Sequence, residues 1–352
     1  MSLGSGGAER QMVTLARLLK LKGHEVTFVC YLKDDFYRHI LDIENIPILW
    51  IETKYYLERI IQIRKFIRNG RYDAVISFLE TPNFLNNISG IGGKSWKIIT
   101  GERSSKENTF KSLRGKILAW FQRYSDAIVC NSNKAKNMWL NYHPRYSEKL
   151  TTIYNIADLP EINTDYTIKE EGKLNITVAA SFQYLKNPIY LIHALSLLRN
   201  DYEKKIKIKW YGKKDFKGSV YENCYDLIKK YKLENTIELY DESKDIANAM
   251  KKSDMVALFS RVEGLPNAIC EGMSLGKPII MTKVSDYEEL VDDSNGVICN
   301  GDDIESIKNA LVISINLSEK TLIDMGKNSK LKALNLFSSN IIVNKWINII
   351  DL

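Results

Sequence analysis

Two glutamates, Glu263 and Glu271, stand eight positions apart in SRVEGLPNAICEGMSLGKPII (260–280). Carboxylates so spaced suit an acid/base pair across a sugar, two grips on one ligand, or a solvated turn and helix. The residues around them narrow the choice. MVALFS reads as a strand ending at Ser260, and NAICEGMSLG reads as a helix. Pro266 suits the first turn of that helix and Gly276 its stop. Glu263 then sits in the loop at the strand's carboxyl end, and Glu271 lies more than one turn into the helix. Between them Gly264, Leu265, Pro266, Asn267 and Ala268 make an entrance where a ligand can approach backbone N–H groups, at a helix N-terminus that favours an anion. A glycoside hydrolase needs opposed carboxylates about 5 to 9.5 Å apart. A glutamate on a helix beside a phosphate-type loop argues against that chemistry.

The elements that must position these residues alternate along the whole chain. Apolar runs at 25–31, 72–79, 96–101, 126–131 and 149–155 are followed, after a polar stretch, by runs at 174–181, 205–212, 236–241, 254–260, 277–282 and 296–300. Helical patterns separate them, which predicts parallel sheets covered on both faces. The economical fold is α/β, two Rossmann-like doubly wound parallel-sheet domains in tandem. We place the first at 1–157, a linker at 158–173 (DLPEINTDYTIKEEGK), the second at 174–336, and a C-terminal helix at 337–352. For that helix two readings stay open, packing on the N-terminal domain or on the second domain. GSGGAERQMVTLARLLKLKGHEV is a glycine-rich loop feeding an amphipathic helix with Leu15, Leu18, Leu19 and Leu21 on its apolar side. A buried strand should precede such a loop, and Met1-Ser2-Leu3 do not supply one. The first strand of the N-terminal sheet is therefore expected to be missing.

Bulk properties exclude several classes. The 352 residues are 45% hydrophobic and 26% charged, ordinary values for a globular protein. No apolar run reaches the roughly 18 residues of a membrane span. The N-terminus lacks a signal-peptide layout, so a cytoplasmic address is the default. Five scattered cysteines and four dispersed histidines suggest neither disulfides nor zinc. Asp292-Asp293 and Asp302-Asp303 read as exposed turns rather than a metal clamp. A net charge of +7 is modest, and no nucleic-acid partner is expected.

EGLPNAICEGMSLGKPIIMTKVSDYEELV resembles the glutamate-x7-glutamate region of family 4 retaining glycosyltransferases of the GT-B fold, bacterial surface-polysaccharide type. GSGGAER, TGERS (100–104), VCNSNKAKNMW, TIYNIAD, ASFQYLKNPIYLIHAL and DDSNGVICN are similar to further motifs of that family, so the resemblance covers nearly the whole chain. It implies two domains facing a cleft, a nucleotide-sugar donor (UDP-linked by resemblance), no metal and no other cofactor. Glu263 would hold donor-sugar hydroxyls and stabilise charge at the anomeric carbon. Glu271 would accept from the ribose hydroxyls, and Lys186 would neutralise the departing diphosphate. Glu289 matches a further glutamate near the nucleotide, although Ser285-Asp286 replaces the usual glycine-rich turn. The family pairs its lysine with an arginine five residues earlier, where this chain has Ser181. A serine supplies no charged planar fork, which leaves Arg261, Lys283 and Arg103 as candidates for the second cation. Gly6, Gly7, Glu9, Glu102 and Arg103 would form the acceptor side. No histidine is assigned a catalytic role.

NTFKSLRGKILAWFQRYSD (108–126) places Phe110, Leu113, Ile117, Phe121 and Tyr124 at helical spacing among Lys111, Arg114, Lys116 and Arg123; YYLERIIQIRKFIRNGR (55–71) is similar. Either pattern fits a core-facing helix with snorkelling cations, or a surface lying on anionic lipid at the inner face of the cell membrane. The second suits a lipid-linked saccharide acceptor. The implied function is transfer of a hexose or N-acetylhexosamine to such an acceptor in surface polysaccharide synthesis. The rival function is a degenerate, non-catalytic sugar-nucleotide-binding protein. A nicotinamide dehydrogenase is disfavoured, since GSGGAER lacks the GxGxxG spacing.

Overall fold

The computed structural model describes residues 2–4, 6–103, 110–157, 172–214, 219–243 and 245–351. The chain divides into two compact units, Met1–Ile156 with Ser339–Leu352, and Ala157–Ser338. Most of the stretch read as a linker, 158–171, lies outside the described residues.

In the first unit, β1 (Phe28–Cys30) pairs in parallel with β2 (Ile48–Trp50). A separate parallel sheet runs β3 (Ala74–Phe78), β4 (Lys97–Glu102), β5 (Ala127–Cys130), β6 (Leu150–Thr152). The sequence reading missed β2, a three-residue, half-buried strand just after Pro47 that has none of the length of a central strand. The glycine loop opens the helix Gly7–Leu21, in which Leu15 and Leu19 are buried; Leu21, expected on the apolar side, is exposed.

A buried polar network fixes the carboxyl end of β4. Asn83 accepts from Ser77 Oγ (2.9 Å) and donates through Nδ2 to the Gly101 carbonyl (3.1 Å). Gln122 Oε1 accepts from Thr100 Oγ1 (2.8 Å) and Ser125 Oγ (2.7 Å). Buried amides satisfied in this way hold one geometry, because losing any partner strands a polar atom without water. The helix Ser339–Asp351 belongs to this unit and buries Ile342, Val343 and Trp346. Trp346 lies 5.7 Å from Phe78, ring to ring; Lys22 Nζ donates to Asn340 Oδ1 (2.8 Å) and Lys97 Nζ to the Ile350 carbonyl (3.0 Å).

The second unit is a six-stranded, all-parallel sheet. Its strands are β7 (Leu174–Ala179), β8 (Ile206–Tyr211), β9 (Ile237–Tyr240), β10 (Met255–Leu258), β11 (Ile279–Thr282) and β12 (Gly296–Cys299). The spatial order is β12-β11-β10-β7-β8-β9. The chain winds outward from β7 to β9, returns to place β10 beside β7, and winds outward the other way. That reversal opens a crevice beyond the carboxyl ends of β7 and β10, where doubly wound sheets bind ligands. β10 and β11 are wholly buried, as strands covered on both faces must be.

Candidate active site

Both loops at the reversal carry predicted residues. After β7 the chain passes Ser181 and forms a 3₁₀ turn, Tyr184–Lys186; after β10 it passes Ser260 to Glu263. The Arg261 amide donates to the Leu185 carbonyl (2.8 Å) and ties the two loops together. Lys186 Nζ lies 2.6 Å from Glu263 Oε1, with side chains 24% and 11% exposed. Ser260 Oγ donates to the same oxygen (2.6 Å). A cation and a carboxylate 77 residues apart in sequence thus form one charge-assisted pair at the crevice. Thr282 Oγ1 donates to the Ser260 carbonyl (2.5 Å), which sets that loop against β11.

The helix Asn267–Ser274 follows directly. Pro266 is its cap rather than part of its first turn: its backbone is extended, and its carbonyl accepts from the Ile269 (3.0 Å) and Cys270 (3.2 Å) amides. A proline fills that position without loss because a cap is not asked for its N–H. Leu265 is buried, while Gly264, Asn267, Ala268 and Glu271 are half-buried. Gly276 ends the helix at φ +68, the left-handed backbone that glycine tolerates. Gly272 lets the helix lie directly on β10, since a Cβ there would stand 2.8 Å from Val256 Cβ. Ser285 adopts φ +55, the conformation a glycine-rich turn would supply, and its hydroxyl donates to the Gly264 carbonyl. Glu289 lies in the short helix Tyr287–Leu290 and is exposed, so it does not join the Lys186–Glu263 pair.

Sequence reasoning missed Ser260 and Asn187. Asn187 is buried at φ +64, donates to the Gly301 carbonyl (2.7 Å), and accepts from Arg261 Nε (3.2 Å). An asparagine just before a helix-starting proline signals such a cap; Ser260 carries no comparable signal. Of the three candidate second cations, Arg261 belongs to this constellation. Lys283 is exposed, and Arg103 lies in the first unit.

The residues expected on the acceptor side all lie in the first unit. Gly6 and Gly7 are exposed at the start of the helix Gly7–Leu21, with the Glu9 carboxylate folded over Gly6. Glu102 ends β4, accepting from the Arg103 amide (3.0 Å) and from Trp139 Nε1 (3.3 Å). Arg103 lies 3.6 Å from the Phe78 ring centre and donates to Asn155 Oδ1 (2.9 Å). Burial lowers its pKa to about 9. The basic–apolar helix Leu113–Phe121 buries Gly115 and Ala119 and leaves Leu113, Ile117 and Trp120 exposed beside Arg114 and Lys116. The expected apolar stripe therefore splits: Phe110 joins the core, Leu113 and Ile117 do not. Among the described residues no helix is long and apolar enough to cross a membrane. No group of three or more His, Cys, Asp and Glu among them is arranged to hold a metal.

Known proteins match this chain along its length. Residues 5–160 match the family model "Glycosyltransferase Family 4", and residues 160–332 match "Glycosyl transferases group 1". An uncharacterized glycosyltransferase of Haemophilus influenzae is 26% identical, over 99% of this chain and 98% of its own. A Campylobacter jejuni α-1,4-N-acetyl-D-galactosaminyltransferase, named for an acceptor saccharide on diphospho-undecaprenol, is 24% identical over 99% of this chain and 96% of its own. The fold also matches an Anabaena protein crystallised with UDP and glucose, at TM-score 0.83 and 17% identity, covering 97% of this chain and 95% of that one. With its paired domain matches spanning residues 5–332 and its GT-B architecture, the chain belongs to the family 4 glycosyltransferases.

Proposed function

We propose that this glycosyltransferase moves a hexose or N-acetylhexosamine from a UDP-sugar to a lipid-linked saccharide, with retention of anomeric configuration and no metal requirement. The observation that carries the reading is the Lys186–Glu263 pair at the sheet's reversal. The bond from the anomeric carbon to the diphosphate breaks, and its electron pair stays on the phosphate oxygen. The acceptor hydroxyl forms the new bond on the same face and passes its proton to that departing oxygen. Lys186 offsets the charge gathering on the diphosphate, while Glu263 holds sugar hydroxyls and stabilises the positive anomeric carbon. Glu271, one helical turn beyond the entrance Gly264–Ala268, accepts from the ribose. Ser181 supplies only a neutral hydroxyl, and Glu289 remains as an outer contact to the nucleotide. Gly6, Gly7, Glu9, Glu102 and Arg103 meet the acceptor.

The exposed Leu113, Ile117 and Trp120 with neighbouring cations support a second element, docking on anionic lipid at the inner membrane face where a lipid-linked acceptor resides. The Campylobacter relative's lipid-linked acceptor and the Anabaena protein's UDP and glucose support the substrate classes. The decisive test is release of nucleoside diphosphate from a sugar-nucleotide panel, with and without a diphospho-lipid saccharide, in EDTA. Acceptor-dependent UDP release and an axial product linkage are expected; no turnover with any donor would sink the reading. Flotation on anionic liposomes at low salt, lost in L113E/I117E, tests the docking surface.

A further inference from the structure

The crevice in the second unit has a charge imbalance. Lys186 is already matched by Glu263 at 2.6 Å, and Ser181 contributes no charge. A nucleoside diphosphate brings two or more negative charges, and one more gathers on its terminal phosphate as the glycosyl bond breaks. Arg261 lies one residue beyond Ser260, tied by its amide to Leu185, next to Lys186. Its guanidinium stacks between two rings, with Cζ 4.5 Å from the Tyr184 centre and 4.3 Å from Tyr190. Nε donates to Asn187 Oδ1 (3.2 Å), and Nη1 donates to Tyr184 Oη. Asp302 approaches Nε only to 3.6 Å and is itself largely exposed. Among the described residues, buried Nη2 has no hydrogen-bond partner.

An unpaired guanidinium N–H shielded from water is costly, and a folded protein keeps such an atom where something else pairs with it. The stacking rings and Asn187 hold the fork's plane, which is the preorganisation that recognition of phosphate oxygens requires. Tyr184, 61% exposed, is the solvent-facing wall of that stack. We infer that Arg261 is the second cation of the donor site: Nη2 pairs with the β-phosphate when the Tyr184 ring turns aside. This inference rests on the nucleotide-diphosphate reading above. It assigns Lys186 and Arg261 to one leaving group, one as a point charge and the other as a planar fork. The bonds broken and formed are those already stated, with Arg261 binding the oxygen that takes the electron pair.

Calorimetric titration of UDP and UMP into wild type, R261Q and R261K tests it, with circular dichroism as the check on folding. UMP retains the base, the ribose and one phosphate but lacks the group assigned to Arg261. R261Q should weaken UDP about 10- to 100-fold, the range of a charge-assisted hydrogen bond, and leave UMP within about threefold. R261K, which keeps the charge and loses the fork, should weaken UDP by a smaller factor and also spare UMP. It carries the test if R261Q does not fold. Unchanged UDP binding in these variants overturns the inference, and so does equal loss of UDP and UMP, the mark of a structural role. Wild type that binds no UDP would instead overturn the donor reading itself, and this inference with it.

Discussion

Gly272→Ala is a change of one methyl group that the structure resolves into opposing terms. The added Cβ would stand 2.8 Å from Val256 Cβ and 3.0 Å from each of its γ-carbons. Carbon contacts settle at about 3.5–4.0 Å, so the helix Asn267–Ser274 would have to retreat by roughly 0.5–1 Å. β10 cannot yield, because it is hydrogen-bonded to β7 on one side and β11 on the other. The helix also packs against the helix Glu319–Phe337, and the chain just past its end is held closely there. At Gly326, in the helix Glu319–Phe337, a Cβ would lie 2.3 Å from the Gly276 carbonyl, so backbone already meets backbone there. Overpacking a site pinned on both sides costs toward the top of about 1–3 kcal/mol. Alanine's helix propensity returns about 1 kcal/mol. The clash wins by about 2 kcal/mol, a fall of roughly 4–8 °C in melting temperature for a unit of this size. Glu271 moves with its neighbour, so UDP affinity should drop about tenfold as well. In a V256A background, which removes two of the three clashing carbons, the added cost of G272A should fall by at least half. A G272A protein that melts at or above the wild-type temperature would refute the argument.

Three further outcomes are expected. E263Q should lower kcat about 10²- to 10³-fold in the UDP-release assay with a much smaller effect on melting; K186Q/E263Q should lose little more than the worse single variant, since the pair acts as a unit. Burial holds the Lys277 pKa to about 8, and its Nζ donates to the Ser253 carbonyl (2.7 Å). Between about pH 8 and 10.5 the unfolded chain keeps the proton that the folded lysine has shed, so this group makes stability rise with pH by up to about 3 kcal/mol. The denaturant-derived stability of wild type minus that of K277M should climb across that window, and a flat difference would contradict it. At Ser285, S285A loses the bond to Gly264 and keeps the left-handed strain, whereas S285G loses the bond and relieves it; S285A should be the less stable by about 1 kcal/mol.

What the sequence revealed about this protein follows from how local each signal is. The second unit's strands were legible because each is an unbroken apolar run ended by a turn, as in MVALFS and KPIIMT. β2 was not, because IPILWIE is short, follows a proline, and owes its pairing to β1 rather than to its own composition. Glu263, Glu271 and Gly276 could be placed from the strand–turn–helix grammar around them. Pro266 missed by one position, since proline satisfies both a cap and a first turn. The partners that give the site its geometry were out of reach of one-dimensional reading. Ser260 on Glu263, Asn187 on Arg261 and the two tyrosine rings meet only once β10 returns beside β7. Exposure was equally hidden: Phe110, Leu113 and Ile117 share helical spacing, yet the first is buried and the other two face outward.

The contact between Phe78 and Trp346 has a temporal side. Synthesis proceeds from the N-terminus at about 5–20 residues per second, so Phe78 leaves the ribosome well before its aromatic neighbour exists. Every residue of the second unit is made in the interval, and Ile342 and Trp346 follow only afterwards. Until they do, the surface around Leu15 and Phe78 that they cover must stay bare or be shielded by a chaperone. The unit that the cell begins first is the one it completes last.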